Sequence, residues 1–285
     1  MLSYRHGFHA GNHADVLKHM TVCLIMRSLL EKDKPFTVVD THAGSGLYDL
    51  NSGFARKNNE YNTGWELIKD NERLQKLVPE FYEVVAKAQE EVDANKGHVY
   101  PGSPYFEYAL SRSSDSIFLN DTHPSEFERL LQIFKRKRNV RVELRQCLDT
   151  INALLPPIKR RGLILIDPPY EKEQEYRQTV EAVKKGLGRF EQGIYAVWYP
   201  VLARMNDHSK NLVHAMRRLN RPLLQVELCV SEQKEDFGMC GSGMLIVNYP
   251  FKLYDALEGV VDELYNVLAD ADTGSAKLEI LVEKQ

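Results

Sequence analysis

The sequence predicts an α/β protein built around a doubly wound, parallel sheet. Seven short runs of strand-forming residues alternate with helical patterns, which is the order expected for such a sheet. Three of these runs end in or precede an aspartate, at the sheet edge where α/β proteins bind ligands. A length of 285 residues suits one large α/β domain, and 43% hydrophobic with 27% charged residues exclude extended disorder, collagen and coiled coil.

The chain begins with a helix and a short strand. Residues 14–32 carry apolar side chains at helical spacing, and Asp33-Lys34-Pro35 ends that helix. Residues 36–40 predict a buried strand that passes into a glycine loop at residues 41–46. We assign residues 1–46 to the N-terminal arm, the first helix and the first strand of the core.

Residues 47–100 differ from the rest of the chain, because they show helical stretches and no strand pattern up to about Gly97. We interpret them as an inserted helical subdomain. A Pro-Gly-Ser-Pro turn at residues 101–104 returns the chain to the remainder of the core, residues 101–285. Six further strands are predicted there, at residues 117–120, 140–144, 163–167, 194–199, 224–230 and 244–248.

Charge, cysteines and apolar runs restrict the setting of the protein. A formal net charge of −3 excludes an evenly basic coat for nucleic acid. The four cysteines lie far apart and form no Cys-x-x-Cys pair, so they predict free thiols in a reducing compartment. No apolar run approaches the ~18 residues that span a bilayer. We therefore expect a soluble, cytoplasmic protein with no membrane partner.

The first strand ends in Asp40, and the loop after it contains Gly44 and Gly46. Glycines allow close approach of the backbone to a ligand, and the Asp40 carboxylate can hold a polar group of a nucleoside cofactor. A dinucleotide fingerprint would need a third glycine where this chain has Asp49, so NAD is disfavoured. A plain strand-to-helix turn is the alternative interpretation of the same glycines.

Asp121 follows the predicted strand at residues 117–120. A carboxylate at this position can accept two hydrogen bonds from the vicinal hydroxyls of a ribose. The spacing from the first loop exceeds the ~20 residues of a dinucleotide fold, and the helical insertion accounts for the excess. Many strands end in aspartate, so this prediction depends on the neighbouring motifs.

The most informative segment is Asp167-Pro168-Pro169-Tyr170, directly after an apolar strand. Two prolines fix φ and cannot continue a ladder, so the Asp167 carboxylate and the Pro168 carbonyl are held at the sheet edge. An exocyclic aromatic amine becomes nucleophilic when acceptors hold its N–H groups, because its lone pair is otherwise delocalised into the ring. Asp167 and Pro168 supply these acceptors, and the Tyr170 ring can stack on the base. The segment predicts amine methylation, although a structural turn could have the same prolines.

Several segments together resemble one family. The chain has YRHGFHAGNHADVLKH at residues 4–19, DTHAG at 40–44, PGSP at 101–104, RRGLILIDPPY at 160–170 and WYP at 198–200. The set resembles the adenine-N6 branch of the S-adenosylmethionine-dependent methyltransferases and, within it, the bacterial RlmJ family, over essentially the whole chain. The resemblance implies a Rossmann-like fold with a seven-stranded sheet, S-adenosyl-L-methionine as cofactor, and direct methylation of adenine N6 in 23S ribosomal RNA.

The resemblance also implies site residues. Asp167 is the implied proton acceptor, with Pro168, Tyr170 and a mobile aromatic, Tyr4, around the target base. The cofactor residues, carried over position by position or lying in the same segments, are Lys18, His19, Asp40, His42, Gly44, Ser103, Asp121, Gln146, Cys147 and Asp167. Where the family typically has Asp-Gly after the third strand, this chain has Gln146-Cys147, so Gln146 could contact the cofactor adenine only through an uncharged amide.

Four histidines, His6, His9, His13 and His19, lie within the first nineteen residues and suggest a metal site. Methyl transfer from a sulfonium needs no Lewis acid, and no carboxylate or thiolate has a matching spacing. We therefore expect no metal. His6 and His9 can equally be polar residues of the N-terminal arm.

Positive charge is concentrated in two segments. Residues 134–161 carry nine basic and two acidic side chains, a local balance of +7 that leaves −10 for the rest of the chain. A second basic group consists of Arg204, Lys210, Arg217, Arg218 and Arg221. Either could be a solvated helix face, but beside a base-modifying site phosphate contacts are favoured. The expected partner is 23S RNA, free or partly assembled, bound by a monomer.

Two alternatives stay open. A DNA adenine-N6 methyltransferase would share the Asp-Pro-Pro-Tyr segment, although the chain has no separate target-recognition domain. A non-enzymatic RNA-binding protein on a decayed methyltransferase fold is suggested by Gln146-Cys147. Methyl uptake by duplex DNA against RNA distinguishes the first alternative, and calorimetric titration with S-adenosylmethionine distinguishes the second.

Overall fold

The computed structural model describes Gly7 and residues 9–51, 59–92 and 98–284. The strands of this part of the chain are β1 (Thr37–Asp40), β2 (Leu47–Asp49), β3 (Val99–Pro101), β4 (Ser116–Asp121), β5 (Val140–Leu144), β6 (Gly162–Ile166), β7 (Ile194–Leu202), β8 (Leu223–Cys229), β9 (Met239–Val247) and β10 (Ser275–Val282). Its α-helices are α1 (His13–Leu30), α2 (Trp65–Ile68), α3 (Glu72–Leu77), α4 (Pro79–Glu91), α5 (Ser103–Leu110), α6 (Pro124–Phe134), α7 (Cys147–Leu154), α8 (Glu173–Arg189), α9 (Ser209–Arg217) and α10 (Leu253–Leu268).

Eight strands form one sheet in the order β5-β4-β1-β6-β7-β9-β8-β10. The strands from β5 to β7 pair in parallel, whereas β9 is antiparallel to β7 and β8, and β10 is antiparallel to β8. The α/β fold class is confirmed, but the sheet is mixed and has one strand more than the seven predicted. The additional strand is β10, an edge strand whose side chains are mostly exposed, and it was not predicted.

The centre of the sheet fixes where a ligand can bind. Strand β1 lies between β4 and β6, which run on to opposite halves of the sheet. The order of the strands therefore reverses at β1, and a crevice opens outside the carboxyl ends of these three strands. Asp40 pairs with Leu119 of β4 and Leu165 of β6, so the three chain segments end at the same level.

Helix α1 is buried on nearly every side. Asn12 caps its start by accepting a hydrogen bond from the backbone N–H of Asp15 at 2.9 Å. The helix packs on β9 and on helices α5 and α10, and its buried positions include Asp15, Lys18 and His19. Buried charges need partners, so α1 brings polar side chains to the sheet edge as well as apolar ones to the core. In the described part of the chain, no helix has the length and apolar character needed to cross a bilayer.

The predicted insertion begins and ends in a small sheet. Strands β2 and β3 are antiparallel, and Leu47 pairs with Pro101. Three residues per strand are too few for a recognisable pattern, which is why β2 was not predicted. The described helices between these strands, α2 to α4, pack on α1 and α10, and Trp65, Phe81 and Val85 join the same hydrophobic cluster as α1. These helices therefore share the main core.

Candidate active site

Three aspartates at the carboxyl ends of neighbouring strands lie in or behind the wall of one cleft. Strand β1 ends at Asp40, β4 ends at Asp121, and Asp167 follows β6 directly. The cleft is open to solvent, and the empty space in and in front of it is about 640 Å³. Its lining residues are Lys18, His19, His42, Ala43, Gly44, Tyr48, Gly102, Ser103, Asp121, Thr122, His123, Glu126, Asp167 and Pro169.

Asp40 lies behind the wall of this cleft and is fully buried. Its carboxyl accepts hydrogen bonds from Ser103 Oγ at 2.7 Å and from the backbone N–H of His42 at 3.0 Å. Burial raises the pKa of Asp40 to about 7, although these two hydrogen bonds oppose the increase. Asp40 therefore positions two residues of the cleft wall instead of lining it, which differs from the direct cofactor contact that the sequence predicted.

The glycine loop is tied to Asp121. Gly44 has a φ of +62°, and its backbone N–H donates to Asp121 Oδ2 at 2.9 Å. The backbone N–H of His123 donates to Asp121 Oδ1 at 2.7 Å. A left-handed conformation favours glycine, so the residue type at position 44 is explained by the backbone. A carboxylate offers about four lone-pair positions, so Asp121 keeps acceptor capacity for a diol in the cleft.

A buried ion triad connects helix α1 to the end of β6. Lys18 Nζ lies 2.8 Å from Asp15 Oδ1 and 2.7 Å from Asp167 Oδ2. Burial alone would lower the pKa of the Lys18 ammonium, but the charges and hydrogen bonds of Asp15 and Asp167 outweigh burial and raise that pKa above its ordinary value. Lys18 therefore stays charged and fixes one oxygen of Asp167. Within the described part of the chain, the other oxygen of Asp167 has no hydrogen bond.

Asp167 also lines a second cavity, whose empty space is about 1170 Å³ with part of the open solvent included. It shares Lys18, Asp167 and Pro169 with the first cleft. Its other lining residues are His9, Asn12, His13, Ala14, Asp15, Glu60, Thr63, Tyr170, Trp198, Pro200, Leu202, Phe237, Gly238 and Met239. Two separate spaces thus meet at a single carboxylate.

Tyr170 forms a rigid part of the second cavity. Its side chain is 4% exposed, its hydroxyl donates to the carbonyl of Trp198 at 2.8 Å, and its ring centroid lies 4.3 Å from that of Tyr176 and 6.0 Å from that of Trp198. The backbone of Tyr170 has a φ of +50°, which is uncommon for a residue with a side chain. Packing and a hydrogen bond together hold this strained turn after the two prolines.

Two polar atoms of the second cavity's residues have no hydrogen-bond partner among the described residues, namely His13 Nε2 and Trp198 Nε1. The hydroxyl of Thr63 donates to the carbonyl of Glu60, so its oxygen is left to accept from His13 Nδ1, 3.2 Å away. This places the proton of the imidazole on Nδ1 and leaves Nε2 as an acceptor. Burial lowers the pKa of His13 to about 4, so the ring is neutral at pH 7. The residues of this cavity thus include one unused acceptor and one unused donor.

The structure brings most of the predicted site residues together. Lys18, His19, His42, Gly44, Ser103, Asp121 and Asp167 line the first cleft, and Tyr170 lines the second cavity. Pro168 lies between Asp167 and Pro169 in the chain but lines neither space. Tyr4 lies outside the described residues, so its predicted place beside the base stays a prediction.

Gln146 and Cys147 lie at the edge of this group. Gln146 lines a neighbouring depression with Thr122, Arg145 and Asp149, outside the first cleft. Cys147 begins helix α7, and burial raises the pKa of its thiol to about 11. Both positions therefore stay predictions as cofactor neighbours.

Of the four N-terminal histidines, His6 lies outside the described residues, and the other three have different partners. His9 Nδ1 lies 2.8 Å from Glu60 Oε2, His13 pairs with Thr63, and His19 Nδ1 lies 3.0 Å from Tyr100 Oη. Within the described residues, no group of three or more histidine, cysteine, aspartate or glutamate side chains has the arrangement of a metal site.

Sequence reasoning missed several residues of the site. Asp15 lies three positions before Lys18, a spacing at which side chains meet on a helix, so the pair could have been found. Trp198 lies in a segment that was noted only for its resemblance. Phe237 gave no signal, because a phenylalanine in a polar loop between strands has no recognisable pattern.

The two basic segments are partly neutralised. Arg141 and Arg145 both contact Glu143 at 2.7 Å, Arg221 contacts Glu191 at 2.7 Å, and Arg161 donates to the carbonyls of Leu29 and Lys34. In contrast, Lys210 and Arg217 line a separate cavity near α9. Part of the basic charge therefore has a structural role.

The chain is similar to known proteins over nearly its whole length. A family model described as "Ribosomal RNA large subunit methyltransferase D, RlmJ" matches residues 33–282. The chain is 42% identical over 283 residues to the ribosomal RNA large subunit methyltransferase J of Escherichia coli K12, covering 99% of both proteins. It is 37% identical over 280 residues to the protein of the same name from Haemophilus influenzae, covering 98% of both.

A solved structure agrees with these matches. The crystal structure of a protein from Legionella pneumophila superposes with a TM-score of 0.85 at 34% sequence identity. The superposition covers 95% of this chain and 98% of that one. The similarity therefore extends over the complete fold and not only over the sheet.

Proposed function

Since the chain belongs to the RlmJ family of ribosomal RNA large subunit methyltransferases, we propose that it transfers a methyl group from S-adenosylmethionine to N6 of one adenine in 23S ribosomal RNA. The observation that carries the choice of an amine as acceptor is the meeting of two cavities at Asp167. Direct transfer requires the donor and the acceptor to approach from opposite sides of one place. The first cleft serves the cofactor, and the second cavity serves the base.

The first cleft has the donor and acceptor set that this cofactor needs. When bound, S-adenosylmethionine supplies an activated methyl group on a positively charged sulfonium. Asp121 would hold the ribose hydroxyls, His19 and Ser103 would line the amino-acid portion, and Gln146 would lie near the adenine. The Asp15–Lys18–Asp167 triad has a net charge of −1 when all three groups are ionised, which favours a cation beside it.

Asp167 orients the acceptor amine and takes its proton. Lys18 holds one oxygen of the carboxylate, so the other is directed by the same bond and can accept from an amino N–H. The Pro168 carbonyl, next to Asp167 in the chain, is the proposed second acceptor and would have to become accessible when the base binds, because Pro168 lines neither space in this structure. As the new N–C bond forms, the bond from the methyl carbon to sulfur would break and a neutral thioether would leave, while the nitrogen loses one proton that the Asp167 carboxylate accepts. His42 stays neutral, because burial lowers the pKa of its imidazole.

The second cavity would hold the adenine against a fixed wall. Tyr170 cannot swing freely, because its hydroxyl is bound to the Trp198 carbonyl and its ring packs on Tyr176. A rigid aromatic wall lowers the entropy lost when a base docks. Tyr4 is the proposed aromatic on the other face of the base. An extruded base costs a few kcal/mol of stacking, and less where the RNA is unpaired.

The proposed partner is 23S RNA, free or partly assembled, met in the cytoplasm by a monomeric enzyme. Lys210 and Arg217 supply accessible positive charge for phosphates. The matching alternative is duplex DNA, whose adenine has the same amine.

The experiment that tests the function measures transfer of labelled methyl groups to protein-free 23S RNA and to duplex DNA. We expect methylation of RNA alone, at one adenine found by mass mapping, and loss of transfer in an Asp167→Ala protein whose thermal midpoint shows that it still folds. Methylation of DNA, or an active and folded Asp167→Ala enzyme, would refute the proposal. Failure of the wild-type protein to bind the cofactor would instead support a decayed fold.

A further inference from the structure

An exposed apolar patch lies at the outer end of the second cavity. The Phe237 side chain is 84% exposed and the Met205 side chain 72% exposed. Phe237 lines the same cavity as Asp167, whose side chain is only 10% exposed. Exposure thus rises from the carboxylate to the phenylalanine across one continuous space. A single exposed phenylalanine is ordinary on a protein surface, but its place at the entrance of a substrate cavity is not.

The loop that carries Phe237 is held to its neighbour. The backbone N–H groups of Ala203, Arg204 and Met205 donate to the carbonyls of Gly238, Lys234 and Glu235, at 2.8, 2.9 and 3.1 Å. Gln233 adds side-chain hydrogen bonds to the Leu202 carbonyl at 2.7 Å and to Asp207 at 2.9 Å. Gly238 has a φ of +109°, a conformation that only glycine adopts easily. Phe237 is therefore presented from a fixed backbone and does not lie on an untethered loop.

The local charge restricts what can bind there. Near Phe237 and Met205, three acidic residues, Glu232, Glu235 and Asp236, outnumber two basic ones, Lys234 and Arg204, and Arg204 Nη1 lies 3.5 Å from Glu235 Oε2. This balance gives no net positive charge to hold a phosphate or an anionic lipid headgroup as the main ligand of the patch. The uncharged face of a base fits it, because stacking on an aromatic ring needs no positive charge.

From this geometry we propose that Phe237, beside Met205, is the stacking platform for an unpaired nucleotide next to the target adenine. A base that leaves its stack to reach Asp167 exposes the faces of its neighbours, and an aromatic side chain at the cavity entrance replaces the lost stacking. The inference deepens the proposed function and rests on it. It assigns a role in RNA binding to a residue outside the reacting group.

The test compares four variants by kcat and KM for methylation of an unpaired RNA that contains the target adenine. Phe237→Ala should raise KM about 5- to 150-fold, the range expected for loss of one stacked base, with little change in kcat. Phe237→Leu keeps apolar volume but has no ring, so its KM should rise by a similar factor. Phe237→Trp keeps an aromatic ring, so its KM should stay near the wild-type value. Phe251→Ala is the matched control, since Phe251 is 83% exposed and does not line the cavity.

Two further measurements separate stacking from a structural effect. An abasic nucleotide is placed first on one side of the target adenine and then on the other. On one of the two sides, the missing base should weaken wild-type binding by the same factor as Phe237→Ala and should abolish the effect of that substitution. The slope of log affinity against log salt should not change in Phe237→Ala, since stacking releases no counterions. Cofactor affinity and thermal midpoint should match those of the Phe251→Ala control.

The outcomes distinguish failure of the proposed function from failure of this inference. If the wild-type protein does not methylate RNA, the proposed function and this inference both fail. If the wild-type is active and Phe237→Ala equals Phe251→Ala, only the inference is overturned. It is also overturned if Phe237→Leu keeps full activity, because the patch would then serve an apolar contact such as a protein partner, or if Phe237→Ala lowers cofactor affinity or the thermal midpoint.

Discussion

Replacing Lys18 with methionine leaves two buried carboxylates without their shared counterion. The ammonium lies 2.8 Å from Asp15 and 2.7 Å from Asp167, and all three side chains are largely buried. Removing one partner of a buried ion pair costs about 3–5 kcal/mol, because the remaining charge stays desolvated and unpaired. Methionine keeps most of the volume of the lysine stem, so packing changes contribute little. We expect the free energy of unfolding to fall by about that amount at pH 7.

The measurement is urea unfolding of both proteins at several pH values, followed by single-turnover methylation. The wild-type triad has a net charge of −1, and the variant would hold −2 in the same volume. Protonation of a carboxylate removes this excess, so the difference in stability should narrow as the pH falls. Lys69→Met is the control, because Lys69 pairs with Glu66 at the same 2.7 Å but at an exposed site, where the loss should be far smaller.

Two results would refute the reasoning. Equal stability of the Lys18→Met and Lys69→Met proteins would mean that the buried charges do not depend on the triad. Full methylation activity in Lys18→Met would mean that the orientation of Asp167 does not depend on Lys18. Asp15→Asn combined with Lys18→Met should recover part of the stability, because it removes one of the two unpaired carboxylates.

Three further predictions concern the cleft walls. Since the pKa of Asp40 is raised to about 7, the folded state keeps a proton that the unfolded state loses from about pH 4, so wild-type stability falls by up to about 4 kcal/mol as the pH rises between those values. Asp40→Asn should remove this part of the pH dependence in urea titrations. An unchanged pH dependence would assign it to other groups such as Glu107, whose pKa burial also raises. Gly44→Ala should cost about 1–2 kcal/mol of backbone strain at φ +62° and weaken cofactor binding in calorimetry, whereas unchanged affinity would show that the strained loop does not shape the cofactor site. Tyr170→Phe removes the hydrogen bond to the Trp198 carbonyl, so the free energy of unfolding should fall by about 1 kcal/mol while most activity is kept. Tyr170→Ala removes the ring and should lose activity. Equal kinetics of the two variants would contradict a stacking role.

The sequence predicted best those elements whose pattern reflects burial. Strands β1 and β6 are buried at every position, and both were located to within one residue. The edge strand β10 has a short alternation of charged and apolar residues at positions 277–280, which is a strand pattern that the prediction omitted. Its side chains are mostly exposed, so burial gave a weaker signal there than in β1 and β6.

The site was predicted residue by residue more successfully than contact by contact. Asp121 and Asp167 were identified because parallel strands place their carboxyl ends together. The bond between Lys18 and Asp167 joins positions 149 residues apart, and nothing in the local pattern pairs them. Asp40 was expected in the cleft, but it lies behind the cleft wall, where Ser103 of helix α5 donates a hydrogen bond to it. Long-range packing decides such contacts, and a single sequence does not contain that information in local form.

The triad explains how one carboxylate can serve both cavities. A lone carboxylate buried at the end of β6 would be costly to ionise, and a single lysine partner would neutralise the pair and give a sulfonium no attraction. One ammonium between two carboxylates avoids both problems, because Lys18 offsets the burial of Asp167 while Asp15 restores a net charge of −1. Since Asp15 and Lys18 lie on α1 and Asp167 follows β6, this balance depends on the packing of the helix at the sheet edge. The buried polar face of α1 is therefore part of the proposed chemistry and not only of the core.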